Sequence, residues 1–455
     1  MDTIPLLSHR SPAAVVAYCE SRAVSAQRFL ADVARLARLL PDAVHVLNVC
    51  ADRYRFAVGF AACLVTRRVS LLPSTHTPEV ITRLKEFAPD AFCLTDHHSC
   101  DIKLRQFRYP EALKLSLDKP AVVAGFEVPL IPAEQLAAIV FTSGSTGIPL
   151  PHEKRWGPLA RCVASGAAPL GLSDGRAHTL IGTVPSQHMY GFESTVLLAL
   201  QSGNAFSAER PFYPADIAAA VKRVPQPRVL VTTPVHLRTL LASEIAFPAI
   251  ERVISATAPL TQELARQVES RYRTALLEIY GSTETGQIAL RRSAATAAWS
   301  LLPGVRLESS EGHVFADGGH VQQPTLLCDV IEPLGSGEFL LHGRTADSVN
   351  VAGKRSSFGY LNALLNAIPG VLDGAFFLNA DARGDTGVAR LGAAVVAPGL
   401  TGATLQELLR QRIDPVFLPR PLLFVERLPR NATGKLPQQA LQSLAAEQLR
   451  AMDSP

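Results

Sequence analysis

Two long stretches of this chain alternate short apolar strands with amphipathic helices, and that alternation restricts the fold more than any other feature. In residues 25–40, Phe29, Leu30, Val33, Leu36, Ala37 and Leu40 fall on one helical face, and Pro41 stops the helix. Strands at 43–50, 69–72 and 91–95 and helices at 53–66 and 77–87 follow in turn. This β-α-β order predicts a parallel sheet with crossover helices. Residues 101–134 are less regular and read as an excursion at the sheet edge. A second run of the same kind has helices at 156–167, 192–201, 217–224, 235–242 and 262–273. They are interleaved with strands at 177–184, 228–232, 252–256 and 275–280. From 300 to 341 the pattern changes to short strands and Gly-rich turns, which predicts a β subdomain. The expected class is α/β. A large N-terminal domain of layered α/β sheets plus the β subdomain spans 1–343. A small α+β C-terminal domain spans 344–455, with helices near 360–367, 405–412 and 436–451.

Composition narrows the function classes. The chain has 455 residues, 47% of them hydrophobic, enough for a large core and more than one domain. Its 44 basic and 40 acidic side chains leave a net charge of +4 without any Lys/Arg run, which argues against a nucleic-acid partner. No uncharged apolar stretch reaches about 18 residues, so no transmembrane segment is expected. The first residues lack the basic-then-apolar order of a signal peptide. The seven cysteines are odd in number and form no CxxC pair. They read as reduced thiols of a cytoplasmic protein, each most simply a small buried hydrophobe.

Four stretches carry chemistry. The apolar run 136–141 opens into Thr142-Ser143-Gly144-Ser145-Thr146-Gly147, where glycines allow close backbone approach and hydroxyls add donors. That is an anion cradle, although most Ser/Gly turns are only turns. It is not a Walker A loop, because two residues separate its glycines and no Lys follows directly. In Glu278–Gly286, EIYGSTETG, Tyr280 offers a flat ring face, Thr283 a hydroxyl and Glu284 a hard oxygen ligand suited to Mg²⁺. Alone, that stretch is an ordinary strand–turn–helix junction. Asp329 follows Leu326-Leu327-Cys328 at a strand end, where a carboxylate can accept both hydroxyls of a ribose. A Gly-rich hairpin brings Arg344 within reach of the same ligand. In LPRNATGKL, Lys435 follows a Thr-Gly turn, and a cation there can be delivered to developing negative charge.

The order TSGSTG, YGSTETG, Asp before a GR-x-x-D turn, then PRNATGK resembles the adenylate-forming superfamily of acyl- and aryl-CoA ligases, peptide-synthetase adenylation domains and luciferases. The resemblance runs from about residue 136 to 437. It implies ATP and Mg²⁺ as cofactors. Thr142, Ser143, Ser145 and Thr146, with Gly144 and Gly147, would wrap the β/γ-phosphates. Tyr280 and Gly281 would lie at the adenine, Gly281 also beside the acid, Thr283 at the α-phosphate, Glu284 on Mg²⁺, and Asp329 and Arg344 on the ribose. Lys435 would bridge carboxylate and α-phosphate during adenylation. His188, with Tyr190 and Phe192 beside it, and Ser255, Ala256, Thr257 and Ala258 would line the acid pocket. Gly353 would flank the thiol tunnel. The partners implied are a carboxylic acid and a phosphopantetheine thiol, on coenzyme A or on an acyl carrier protein. Arg410, Arg412, Arg420, Arg427 and Arg430 could face an acidic carrier, though scattered arginines are usually a solvated surface.

Two departures stand out. The loop closes Pro149-Leu150 where the family has Pro-Lys, which leaves Lys154 or Arg155 as candidate replacements, or no replacement at all. Two residues after Arg344, at the family's hinge, stands Ala346, with Asp347 next. The pattern TSGSTG-x-P-x-P-H-x-K-x-W is similar to the acid ligases of aryl polyene and xanthomonadin-type pigment clusters. The polar handles near His188 favour a hydroxylated aryl acid over a long fatty chain. Two other classes compete: a degenerate nucleotide-binding scaffold, favoured by the missing loop lysine, and a stand-alone amino-acid adenylation domain. The latter would need an acidic residue for the amine, and only Glu193 is near.

Overall fold

The computed structural model describes residues 2–73, 75–114, 125–143, 149–310, 313–344, 348–351, 354–379, 390–413, 415–431 and 434–453. The first β/α run builds a six-stranded sheet in the order Pro149–Arg155, Leu136–Ser143, Val69–Leu72, His45–Asn48, Phe92–Thr95, Arg105–Arg108. All neighbours are parallel except the first pair. Arg105–Arg108, from the irregular region, is the far edge strand. Helix starts are set by side-chain caps: Ser25, Asp52 and Thr77 each accept a backbone N–H three residues on.

The second run builds an eleven-stranded sheet. At its centre Ala275–Ser282, Arg252–Ser255, Arg228–Thr232, Thr179–Gly182 and Ala205–Ser207 run parallel. Val15–Cys19 and Arg22–Ser25, a hairpin near the N-terminus that the sequence pattern does not show, close one end. At the other end the chain departs from expectation. Only Arg306–Ser310, His313–Gly318 and Val321–Leu327 form a separate three-stranded sheet. Trp299–Leu301, Asp329–Gly335 and Glu338–Arg344 extend the large sheet instead. Their apolar side chains explain it: Trp299 and Phe339 stack with rings 12° apart and continue the main core.

The two sheets are held together by helices buried on all sides. Past the arginines of its first turn, Arg53–Val65 is apolar around its whole circumference, the pattern of an interior helix. Arg53 at its start is 1% exposed and spends its guanidinium on the carbonyls of Gly182, Val184, Ser207 and Glu209, at the ends of second-sheet strands. The helical stretch from Met189 to Ser202 is π-helical over Phe192–Leu197. In the C-terminal part, Asp373–Asn379, Arg390–Val396 and Leu422–Phe424 form a three-stranded sheet. It packs in clusters of its own with helices Phe358–Asn366, Gly402–Arg410 and Gln438–Asp453.

Pro149–Arg155 is a strand that the sequence pattern does not show, and it bears on the site. The chain after the Gly/Ser loop does not run straight into the helix Trp156–Ala167. It first pairs back on Leu136–Ser143, register Leu150↔Thr142 and His152↔Val140. Two prolines are tolerated because this is the sheet's outer strand, where one side needs no ladder N–H.

Candidate active site

The site gathers where the two sheets' loops converge. Glu278–Gly286 is a strand–turn–strand, not a strand–turn–helix junction: Ala275–Ser282 turns at 283–285 into Gly286–Arg291. Ser282 and Thr285 cap one another across the turn, each backbone N–H donating to the other's hydroxyl. Gly281 is required there, because a Cβ would stand 2.1 Å from the Gly286 carbonyl oxygen. Glu284 projects from the turn, its side chain 44% exposed. Burial pushes its pKa up, but the Ser282 hydroxyl, its own backbone N–H and the charges of His152 and Lys154 outweigh this and hold it below the usual carboxylate value. An ionised, accessible carboxylate with neighbours left for water and phosphate fits a Mg²⁺ ligand.

Two side chains of the Pro149–Arg155 strand meet this turn. Lys154 Nζ donates to the carbonyls of Thr283 and Glu284. Burial lowers its pKa, against the charges of Glu193 and Glu284. His152 Nε2 lies 2.9 Å from Thr142 Oγ1 and 3.6 Å from Glu284 Oε1. His152 was not among the residues expected from the sequence. The available signal is its place in the P-H-x-K part of the pattern that follows the Gly/Ser loop. Behind the turn is a polar cavity of about 260 Å³ lined by Lys154, Cys162, Glu193, Glu284 and Thr285. Glu193 there is fully enclosed, and burial raises its pKa to about 7.

The Tyr280 hydroxyl donates to Asp329 Oδ2 at 2.6 Å, so the aromatic and the carboxylate form one unit. Tyr280 rests on Trp299 and Phe339, with ring centroids 5.5 and 5.6 Å away. Asp329 opens its strand and pairs in register with Arg344. Gly144, Ser145, Thr146, Gly147 and Gly353 lie outside the described residues. So do the hinge positions Ala346 and Asp347 and the side chains of Ser143 and Arg344.

Not every expected acid-pocket residue is brought together. His188 caps the Met189 helix through its Nδ1, which accepts from the Tyr190 N–H. Burial, then the charge of Lys435, pull its pKa down to about 4, so the imidazole is neutral near pH 7. Tyr190 is a correction: its hydroxyl donates to the carbonyls of Thr232 and Ile254 and is spent on joining two strand ends. Phe192 is a second: it is 0% exposed, its ring 4.7 Å from Phe60 and 6.1 Å from Phe56, in the core between the sheets. Ser255 and Ala256 are buried, and Thr257 holds φ 79°, a left-handed backbone that costs a β-branched residue about 1–3 kcal/mol. Such strain persists only where the surroundings impose it.

Lys435 comes from the C-terminal part on a tightly staged loop. Its backbone N–H donates to Asn431 Oδ1, and its carbonyl accepts from the Asn431 N–H. Gly434, at φ 80°, touches the Val235 side chain, where a Cβ would come within 3.0 Å. The C-terminal part is thus closed onto the N-terminal part, with the Lys435 charge felt at His188. Arg430 corrects the expected arginine face. Its guanidinium makes a two-bond fork with Asp373, 2.7 Å each, and donates a third bond to the Gly434 carbonyl at 3.0 Å. Arg410 is paired with Glu407.

Residues 8–324 match the family described as AMP-binding enzyme. The chain belongs to the AMP-binding enzyme family. Among relatives of this AMP-binding enzyme, a 4-coumarate–CoA ligase of Rhodobacter capsulatus is 33% identical over 318 residues, 69% of this chain and 78% of that protein. A 4-chlorobenzoate–CoA ligase of an Arthrobacter species is 26% identical over 371 residues, 72% and 69% of the two chains. ATP-bound MatB from Rhodopseudomonas palustris shares the fold with a TM-score of 0.79 at 20% identity, over 98% of this chain and 97% of that one. Membership makes the chain an adenylate-forming ligase that activates an acid with ATP. The expected fold class, layered α/β with a small C-terminal domain, is likewise met. No helix among the described residues is long and apolar enough to cross a membrane.

Proposed function

We propose that this AMP-binding enzyme joins a hydroxylated aryl acid to AMP and then passes the acyl group to a phosphopantetheine thiol, that of an acyl carrier protein. The observation that supports the adenylation step is the Lys435 loop seated against Val235, with the Lys435 charge acting on His188. In the first step a carboxylate oxygen attacks the α-phosphorus of ATP. The new O–P bond forms as the bond to pyrophosphate breaks. Lys435 offsets the charge of two anions brought together, and Thr283 donates at the α-phosphate. Thr142 and the Gly/Ser loop hold the β/γ-phosphates, and the Tyr280–Asp329 unit with Arg344 holds the nucleoside. Glu284 would ligate Mg²⁺, which supplies further charge neutralisation to the phosphates. In the second step the thiol sulfur attacks the acyl carbon and AMP leaves. Residues 344–455 are the lid that moves between the steps.

Neutral His188 and the half-buried Thr257 and Ala258 would receive the acid, with buried Ser255 and Ala256 behind them, and both relatives named above carry aryl acids in their names. Arg412, Arg420 and Arg427 remain as exposed cations for an acidic carrier protein. Free coenzyme A is the second reading, favoured by those same two relatives. Seven free cysteines suit the reducing cytoplasm. Hydroxamate trapping across benzoates, cinnamates and fatty acids tests the acid, and acyl transfer to coenzyme A against a holo carrier protein tests the acceptor. Hydroxybenzoates or hydroxycinnamates should react best; reaction of long-chain acids alone would sink the aryl reading. Lys435→Ala should lower adenylation by about 2.7–4 kcal/mol of transition-state stabilisation.

A further inference from the structure

The strand after the Gly/Ser loop has an apolar residue, exposed Leu150, where the superfamily pattern has lysine. Side chains alternate along a strand, so 150, 152 and 154 share one face. That face meets the 282–285 turn and carries His152 and Lys154. Lys154 Nζ is committed to the carbonyls of Thr283 and Glu284, with Glu193 behind it. Its ammonium braces the turn from the cavity side. His152 is placed differently. Its Nε2 stands beside the hydroxyl of Thr142, at the start of the phosphate loop, and 3.6 Å from Glu284 Oε1.

We propose that His152 is the phosphate-side donor of this site: its ring N–H contacts the β/γ-phosphates of ATP, and pyrophosphate, in place of a lysine at 150, while Lys154 fixes the turn that carries Glu284. This rests on the reading of the site as an ATP site. The Thr142 hydroxyl beside Nε2 is a donor suited to the terminal phosphates, and Glu284 is the proposed ligand of the Mg²⁺ those phosphates carry, so the phosphates would lie within reach of the ring. A ring N–H there gives a directed bond to a phosphate oxygen. AMP ends at the α-phosphate and lacks the groups that His152 would touch.

Titration calorimetry with ATP, inorganic pyrophosphate and AMP, each with Mg²⁺ and with EDTA, tests this on wild type, His152→Ala and His152→Gln. In His152→Ala, ATP and pyrophosphate should bind at least about tenfold more weakly, with AMP within about twofold of wild type. His152→Gln keeps an N–H donor and should recover part of the loss. Adding Leu150→Lys to His152→Ala, at a position 52% exposed, should restore ATP binding. Equal weakening of ATP and AMP, the mark of a merely structural histidine, overturns the proposal, as does unchanged ATP affinity. The site reading fails separately, if wild type binds neither ATP nor AMP.

Discussion

Arg430→Lys tests how Lys435 is delivered to the reaction. Arg430 ties Asp373, the first residue of a C-terminal strand, to the Gly434 carbonyl beside Lys435. Lysine keeps the charge but cannot make the fork, and the bond to Gly434 goes with it. The Arg430 and Asp373 side chains are 21% and 20% exposed. The value for surface pairs, under about 1 kcal/mol, is therefore too small, and the value for dry pairs, about 3–5 kcal/mol, too large; about 2 kcal/mol lies between them. Where that loss falls on the placement of Lys435, 1.4 kcal/mol is tenfold in rate, and a misplacement of about 1 Å costs about a hundredfold. ATP–pyrophosphate exchange should therefore fall about 10–100-fold. Lys435 acts in the first half-reaction, so transfer from supplied acyl-AMP to the thiol should stay within about threefold of wild type. Equal losses in both half-reactions would show that Arg430 merely keeps the domain folded. An unchanged exchange rate would refute the reasoning outright.

Three further substitutions probe the site. Phe192→Ala should cost about 3–5 kcal/mol in denaturant unfolding yet leave the ranking of acids unchanged in hydroxamate trapping; a changed ranking returns Phe192 to the pocket. Tyr280→Phe removes the 2.6 Å bond to Asp329 and should raise the KM for ATP about fivefold with kcat little altered. A fall in kcat alone contradicts a ground-state role. Glu193 carries a pKa raised by burial to about 7, so between about pH 4.5 and 7 the folded chain holds a proton that the unfolded chain has released. Its contribution to stability therefore shrinks as pH rises through that window. The unfolding free energy of wild type relative to Glu193→Gln should drop by a few kcal/mol from pH 5 to 8, and parallel curves would exclude the shift.

The sequence pattern was most legible where local periodicity and tertiary packing agree. Val69–Leu72, Trp156–Ala167 and Arg228–Thr232 begin and end where the pattern put them. Packing overrode it elsewhere. A Pro-x-Pro segment reads as a loop, and Pro149–Arg155 is a strand only because the neighbouring strand supplies a partner on one side. Tyr190 and Phe192 sit close to His188 in sequence, but helical geometry turns Phe192 towards Phe56 and Phe60 and the Tyr190 hydroxyl onto strand-end carbonyls. Asp373 and Arg430 lie 57 positions apart, and only the fold brings them together. The charge of Lys154 is visible in sequence and marks it as a candidate phosphate partner; that its ammonium faces two carbonyls is not.

Pro149 and Pro151 have a consequence for solubility. An outer strand beside a substrate-binding loop must stay uncovered, and an uncovered strand is a template on which a second chain can add. Proline at alternate positions removes two of the outward N–H groups that such an added strand would need. The margin of the six-stranded sheet can therefore remain open to nucleotide without inviting edge-to-edge association between copies. Replacing both prolines would leave the ladder with Leu136–Ser143 intact and give this edge the donors of an aggregation-prone strand.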